Sequence, residues 1–293
     1  MKIAITGSSG LIGSALVSHL RAEGHEVLRL VRRSSTAPTE VTWDPSAGTA
    51  DLAALAGVEV FINLAGAGVG DHRWTDSYKN TILHSRVLAT RTISNVAVQV
   101  GAKTLINASA IGWYGDTGST QVDETAPAGS GFLADVVKQW ESETVVASSA
   151  GIRTVLIRTG LVATRSGGAW GKILPIFKLG LGGKLGSGQQ YWSFITLHDQ
   201  LAAISFLLNH AEISGPVNLT APNPATNSQM TKALGQALHR PTLFPVPAAA
   251  LKLVLGEFSQ EVLGSARVMP QVLLNAGFTF AHPDIDSAMR TLA

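Results

Sequence analysis

The sequence of 293 residues contains no cysteine. This absence excludes a disulfide framework and a thiolate nucleophile. The eight histidines show no spacing typical of metal ligands, so we expect no metal site. Charged residues make up only 14% of the chain and the formal net charge is +2, which argues against a nucleic-acid partner.

Long apolar runs are also missing. No uncharged segment reaches the length that crosses a bilayer, and the N-terminus enters a strand pattern without the features of a signal peptide. We therefore expect a soluble, cytoplasmic protein with no membrane partner. The 45% hydrophobic content is sufficient for a large core.

Short apolar segments alternate with segments of helical length. They predict strands at residues 2–6, 26–31, 58–64, 104–108 and 154–157. Such alternation is typical of a parallel sheet, and nearly continuous apolar strands indicate helices on both faces. The predicted fold is α/β, a Rossmann-type doubly wound parallel sheet with a smaller, partly interleaved C-terminal subdomain.

Composition changes along the chain divide it into a core and a subdomain. Residues 1–165 are predicted to form the dinucleotide-binding core, to which residues 193–222 return. The glycine-rich residues 166–192 and the proline-punctuated residues 223–293 form the substrate or C-terminal subdomain, with a small domain at about 244–293. A helix is predicted after residue 194, with Asp199 as its N-cap and His198 half-buried, in preference to an acid/base pair.

A glycine-rich motif follows the first strand and begins the first helix. It reads Thr6, Gly7, Ser8, Ser9, Gly10, Leu11, Ile12 and Gly13. In this position the glycines permit a tight turn and close approach of a pyrophosphate, and the helix N-terminus donates free N–H groups to it. The motif predicts a dinucleotide cofactor, with an ordinary glycine-rich turn as the alternative.

Two arginines, Arg32 and Arg33, follow the second strand, where proteins that bind NAD carry an acidic residue for the ribose hydroxyls. Guanidinium groups instead bind a 2′-phosphate through charge-assisted hydrogen bonds. The pair therefore predicts NADP(H), with a solvated basic turn as the alternative.

A third strand ends in Asn63, Leu64, Ala65 and Gly66. The small residues would allow the backbone of residues 64–66 to pass close to the adenine and ribose. A simple turn explains the same composition.

Several segments together resemble one branch of the extended short-chain dehydrogenase/reductase superfamily. They are the glycine motif, residues 63–66, residues 109–115 after a later strand, residues 41–45, 73–75, 85–86 and 180–183, and residues 270–278 near the end. The branch is labelled nucleoside-diphosphate-sugar epimerase, and its members carry a small C-terminal domain of unknown function. The resemblance covers essentially the whole chain. It implies that Arg86, and the loop of residues 158–162 that contains Val162, approach the phosphates or the nicotinamide end; a surface salt bridge is the alternative for Arg86.

The superfamily uses a Tyr-x-x-x-Lys pair on a helix and a serine that polarises the substrate oxygen. Ser109 is the candidate serine, but residues 131–141 contain no tyrosine at all. Tyr114 is a candidate replacement, with Lys138 or Asp116 nearby; a structural tyrosine is the alternative.

Two functions remain open from the sequence. The first is an NADP(H)-dependent oxidoreductase or epimerase-like enzyme that acts on an unidentified small molecule, with a nucleotide sugar or a carbonyl compound as candidates. The second is an NADP(H)-binding regulatory protein without turnover, for which the missing Tyr-x-x-x-Lys pair is the main support. The oligomeric state is left open, with a homodimer as one alternative.

Overall fold

A computed structural model describes all 293 residues of the chain. The strands are β1 (Lys2–Thr6), β2 (Glu26–Val31), β3 (Glu40–Asp44), β4 (Thr49–Ala50), β5 (Val60–Asn63), β6 (Thr104–Ala110), β7 (Gln121–Val122), β8 (Arg153–Thr159), β9 (Leu161–Ala163), β10 (Tyr191–Trp192), β11 (Phe194–Thr196), β12 (Gly215–Leu219), β13 (Ala225–Thr226) and β14 (Arg267–Val268). The helices are α1 (Leu11–Ala22), α2 (Asp76–Gln99), α3 (Phe132–Ser142), α4 (Val145–Ser149), α5 (Gly168–Lys178), α6 (Leu197–Asn209), α7 (Asn227–Ala237), α8 (Ala248–Leu255), α9 (Ser259–Leu263), α10 (Gln271–Asn275) and α11 (Ile285–Arg290).

The central sheet has the strand order β12-β8-β6-β5-β1-β2-β3-β4, and every pair is parallel except β3 with β4. The chain builds outward from β1 in one direction through β2 and in the other through β5. This reversal opens a crevice at the carboxyl ends of β1 and β5, which is where ligands bind in doubly wound sheets. The predicted Rossmann-type fold is confirmed.

Helices cover both faces of the sheet. Because alternate side chains of a strand point to opposite faces, Ile3 and Ile5 pack in one buried cluster with Leu16 of α1, whereas Ala4 packs in another with Ile93 of α2. The strands are therefore apolar on both sides, as their composition predicted. A third cluster, which includes Trp170, Phe194 and Met230, forms the core of the C-terminal part of the molecule.

Some local predictions were right and others were wrong. Helix α1 ends at Ala22, and Gly24 follows with φ of 83°, as expected for a glycine that stops a helix. Residues 40–44 were not predicted as a strand but form β3. No helix of the structure is both long and apolar enough to cross a membrane.

Asp199 is not the N-cap of α6, because Thr196 holds that position and accepts a hydrogen bond from the backbone N–H of Asp199. The buried Asp199 carboxylate instead accepts hydrogen bonds from the N–H groups of Ala281 and His282, at 2.9 and 3.0 Å, and so joins α6 to the C-terminal segment. The predicted half-burial of His198 is also wrong, since 67% of its side chain is exposed.

Candidate cofactor and active site

The glycine-rich turn packs directly against the end of β5. Gly7 has φ of 64°, and a Cβ atom on it would lie only 2.5 Å from the carbonyl oxygen of Leu64. A Cβ atom on Gly13 would lie 2.9 Å from the carbonyl carbon of Gly7. Only glycine fits these two positions, because the opposing atoms are backbone and cannot rotate away. The turn is thereby kept in close contact with the end of β5 and with the start of α1.

Helix α1 begins with donors that have no acceptor in the protein. The N-cap, Gly10, has no side chain to cap the helix, and the N–H groups of Leu11, Ile12 and Gly13 make no hydrogen bond. Unpaired N–H groups and the positive end of the helix dipole together form a site for an anion. The geometry therefore fits a pyrophosphate, as the motif predicted.

The two arginines after β2 differ sharply in their environment. Arg33 binds the carboxylate of Glu40 through two hydrogen bonds of 2.7 and 2.8 Å, whereas the exposed side chain of Arg32 makes no hydrogen bond or ion pair. The hydrogen bond from Arg33 also lowers the pKa of Glu40 to about 2. Arg33 is therefore held by Glu40, whereas Arg32 has no partner in the protein, and the predicted contact of one or both arginines with a 2′-phosphate stays a prediction.

A buried polar network fixes the ends of β1, β5 and β6. Asn63 accepts a hydrogen bond from Thr6 and donates to Asn107 and to Thr90 of α2, at 2.5, 2.6 and 2.9 Å. Leu64 donates its backbone N–H to Thr6 at 3.1 Å. The backbone of residues 64–66 is therefore rigidly placed beside the glycine-rich turn, on the side where an adenosine or a ribose is expected.

Arg86 lies against Gly66 at this edge of the sheet. A Cβ atom on Gly66 would lie 3.3 Å from the Cγ and Cζ atoms of Arg86, and the guanidinium lies 5.1 Å from the ring centre of Trp140. It donates to the carbonyl oxygen of Ile82 at 2.9 Å but has no carboxylate partner. The alternative of a surface salt bridge is therefore wrong.

Burial lowers the pKa of Arg86 to about 10, because desolvation of the cation is not offset by a nearby acid. An uncompensated charge in a crevice is costly for the free protein and is typical of a position that receives an anion. Arg86 thus places a second cation on the crevice, at the opposite side from Arg32.

The hydroxyl of Ser109 is already bonded inside the protein. It donates to the carboxylate of Glu141 at 2.5 Å, and only 4% of Ser109 is exposed. Glu141 is paired with Arg158 through two hydrogen bonds of 2.9 Å, and both charged side chains are buried. The proton of Ser109 is therefore directed at Glu141.

Tyr114 is similarly enclosed. Its hydroxyl donates to Asn218 at 2.8 Å and accepts from Arg158 at 3.2 Å, and burial raises the pKa of the phenol. The proposed helper Lys138 pairs with Asp135 on the surface at 2.6 Å, so it does not activate Tyr114. The structure thus joins Ser109 and Tyr114 through Arg158 and Glu141, and their predicted catalytic roles stay predictions.

Helix α3 occupies the place where the Tyr-x-x-x-Lys pair is expected. A Cβ atom on Gly112 would lie 3.3 Å from Leu133 and 3.8 Å from Val137, which are four residues apart on one face of α3. The residues of α3 that pack against Gly112 are therefore apolar. Neither Leu133 nor Val137 can exchange a proton, and the titratable groups of α3 that follow them, Lys138 and Glu141, are paired with Asp135 and Arg158.

Val162 lies in β9, half-buried against the core of the sheet, and pairs in register with Ile195. Its side chain offers only an apolar contact.

The sequence did not single out Glu40 and Glu141, which are the hydrogen-bond partners of Arg33 and Ser109. Glu141 had one signal, since a carboxylate three residues beyond Lys138 falls on the apolar face of α3 together with Val137.

The chain matches the NAD dependent epimerase/dehydratase family over residues 3–219 and a domain of unknown function, DUF1731, over residues 246–292. It is 43% identical to the epimerase family protein ML0860 of Mycobacterium leprae over 288 residues, which is 98% of this chain and 94% of that protein.

Solved structures show the same likeness. The human epimerase family protein SDR39U1, crystallised with NADPH, superposes with a TM-score of 0.92 at 29% identity and covers 100% of this chain and 99% of that one. A nucleoside-diphosphate sugar epimerase from Corynebacterium glutamicum gives a TM-score of 0.82 at 36% identity; it covers all of this chain, which spans 58% of that protein.

Proposed function

Since the chain belongs to the NAD dependent epimerase/dehydratase family, we propose that it binds NADP(H) and acts with it as an oxidoreductase or epimerase-like enzyme on a small molecule. The observation that carries the choice of NADP(H) is Arg32, an unpaired cation directly after β2 in a position where an acid would select NAD. The similar human protein that was crystallised with NADPH supports the same choice.

Different residues of the crevice would bind different parts of the cofactor. The free N–H groups at the start of α1 would hold the pyrophosphate, Arg32 the 2′-phosphate, and Arg86 an anionic group at the opposite side. Bound NADPH would supply a hydride. The chain itself orients the cofactor through the rigid backbone at Leu64 and Gly7.

The proton that accompanies a hydride has no donor from a Tyr-x-x-x-Lys pair, because residues 131–141 contain no tyrosine and Lys138 pairs with Asp135. Ser109 and Tyr114 would have to leave Glu141 and Asn218 before either hydroxyl contacted a substrate. A substrate that carries its own acidic group, or that is protonated by water, fits this crevice best.

A second candidate is an NADP(H)-binding regulatory protein without turnover. The internal hydrogen bonds of Ser109 and Tyr114 favour it, because they occupy both predicted catalytic hydroxyls in structural roles. It predicts that NADPH stays reduced in the presence of carbonyl compounds, and that a partner binds with an affinity set by the redox state of the nicotinamide.

Calorimetric titration with NADP⁺ and NAD⁺ tests the cofactor. We expect NADP⁺ to bind more tightly, and Arg32→Ala to weaken NADP⁺ by roughly 10–100-fold, the value of a charge-assisted hydrogen bond of about 1.5–3 kcal/mol, with NAD⁺ unchanged. Arg290→Ala is the matched control, since Arg290 is exposed, unpaired and on α11. Equal affinity for both nucleotides would refute the choice of NADP(H).

Deuterium transfer tests the reaction. NADPH labelled at C4 is incubated with the protein and a panel of aldehydes and ketones, and transfer of the label is followed by mass spectrometry. Stereospecific transfer to any of them supports the enzyme. Tight NADPH binding without transfer, together with redox-dependent binding of a partner, supports the regulatory protein.

A further inference from the structure

Three side chains of the kinds that bind metal ions meet where α6 begins. They are His198 and Asp199, in the first turn of α6, and His282, in the C-terminal segment. One ring nitrogen of each histidine and a carboxylate oxygen all lie within 4.8 Å of one another. Because His282 follows Asp199 by 83 residues, the spacing of histidines in the sequence could not indicate this cluster. None of the three residues belongs to the proposed cofactor site.

The distances within the cluster are long for hydrogen bonds. Nδ1 of His198 lies 3.4 Å from Oδ1 of Asp199, and Nδ1 of His282 lies 3.5 Å from Oδ2. Hydrogen bonds between nitrogen and oxygen are usually about 2.7–3.2 Å long. Ligands that lie about 2.0–2.1 Å from a tetrahedral zinc ion are about 3.3–3.4 Å apart, whereas ligands of an octahedral ion at the same bond length are about 2.9 Å apart. The observed distances therefore match those between ligands of one tetrahedral ion.

The carboxylate of Asp199 is buried without a permanent cation beside it. No lysine or arginine pairs with it, and the two histidines are the only basic side chains within 4.0 Å. Backbone N–H groups of Ala281 and His282 donate to it at 2.9 and 3.0 Å. Such hydrogen bonds orient a carboxylate that binds a metal. Since buried charges are typically paired or bound to a metal, the environment of Asp199 favours a cation.

The two imidazoles cover Asp199, and one of them is free to move. The side chain of His198 is 67% exposed, and its only polar contact is the one with Asp199. Its ring meets the ring of His282 edge to face, with 5.6 Å between the ring centres. Exposed side chains change rotamer rapidly. A small rotation of His198 therefore gives an ion access to the carboxylate and brings Nδ1 to bonding distance.

We propose that His198, Asp199 and His282 bind one Zn²⁺ ion, in a site that joins α6 to the C-terminal segment. Histidine nitrogen and carboxylate oxygen are both zinc ligands, and three protein ligands leave the fourth position to a water molecule. The ligands come from two segments far apart in the chain, so the bound ion holds the C-terminal segment against α6. The site goes beyond the proposed cofactor chemistry and does not depend on it.

Calorimetric titration of Zn²⁺ into the full-length protein, without a histidine tag and after dialysis against a chelator, tests the site. We expect one ion to bind per chain, and His198→Ala and His282→Ala each to weaken the binding at least tenfold. His19→Ala is the matched control. His19 also lies beside a carboxylate, that of Glu23 at 3.5 Å, but it belongs to no cluster of three such ligands, so the affinity for Zn²⁺ should not change.

Thermal unfolding gives a second measurement. Zn²⁺ at ten times its dissociation constant should raise the Tm of the unchanged protein and of His19→Ala by roughly 2–4 °C, and should leave the Tm of His198→Ala unchanged. Absence of Zn²⁺ binding would overturn the proposal. So would equal affinities in the unchanged protein and in His198→Ala, since the bound Zn²⁺ would then be an adventitious ion only.

Discussion

The hydroxyl of Ser109 donates to the buried carboxylate of Glu141 at 2.5 Å. Glu141 is in turn held by Arg158, which also donates to Tyr114. The serine of the predicted catalytic site is thus one end of a buried network that continues through Asn218 to the carbonyl oxygen of Met269 in the C-terminal segment. The network ties the cofactor side of the sheet to the C-terminal domain.

Breaking the ion pair in this network should be costly. Glu141→Leu leaves Arg158 buried without a partner, so we expect the free energy of unfolding in urea to fall by about 3–5 kcal/mol. The double variant Glu141→Leu, Arg158→Leu removes both charges and should be less destabilised than the single one. A double variant as unstable as the sum of the two single variants would contradict the assignment of the cost to the unpaired charge.

The catalytic roles of Ser109 and Tyr114 have their own test. If the network is purely structural, the variant Ser109→Ala, Tyr114→Phe keeps the turnover number on any substrate found by deuterium transfer and loses only stability, by about 2 kcal/mol for two buried hydrogen bonds. A loss of turnover of 100-fold or more at unchanged NADP⁺ affinity would instead show that the hydroxyls leave their internal partners during the reaction.

Arg86 predicts a trade-off between stability and binding. Arg86→Met removes a buried cation that has no acidic partner, so we expect the free protein to become more stable to urea by about 1–3 kcal/mol. The same variant should bind NADP⁺ at least tenfold more weakly, since an anionic group of the cofactor loses its contact with the Arg86 guanidinium. Arg91→Met on the same helix is the control, because Arg91 pairs with Glu143 on the surface. Weaker binding of NADP⁺ to the control would undermine the interpretation.

The fold and the cofactor crevice could be predicted from local sequence patterns, whereas the hydrogen-bond partners of the charged residues could not. Glycine spacing after β1 is largely a local signal, since Gly7 has φ of 64° in the turn and Gly13 is required by its contact with Gly7. The contact of Gly7 with Leu64 is the one that involves another strand. The partner of Arg33 is seven residues away, on a strand that the apolar pattern did not reveal, because β3 lies near the edge of the sheet and alternates Val41 and Trp43 with exposed residues.

Hydrogen bonds between residues far apart in the chain could not be predicted from the sequence. Ser109 and Glu141 are 32 residues apart, and Tyr114 and Asn218 are 104 residues apart. The packing of α3 against β6 brings the first pair together, and the pairing of β6 with β8 and of β8 with β12 brings the second pair together. A sequence shows that a hydroxyl is present, but its availability depends on the tertiary contacts that surround it.

The close contact at Gly13 predicts a specific loss of cofactor binding. In Gly13→Ala the new methyl group meets the backbone of Gly7, so the turn must move and the free N–H groups at the start of α1 lose their alignment. We expect calorimetry to show at least tenfold weaker binding of NADP⁺. Gly171→Ala in α5 is the matched control, because nothing lies within 4 Å of its added methyl group, and it should stabilise the helix by roughly 0.5–1 kcal/mol with cofactor binding unchanged.

The pair of Glu40 with Arg33 predicts how stability depends on pH. The pKa of Glu40 is lowered to about 2 in the folded protein, so folding favours the carboxylate. Its contribution is fully present above the pKa of the unfolded chain, about 4.3, and is lost as the pH falls towards 2. The difference in unfolding free energy between the unchanged protein and Glu40→Gln should therefore be constant from pH 7 to pH 5 and shrink below pH 4. Glu26→Gln, with a side chain that is 64% exposed, should differ little from the unchanged protein at every pH. A difference for Glu40→Gln that grew on acidification would mean that the fold favours the protonated acid, and would contradict the ion pair.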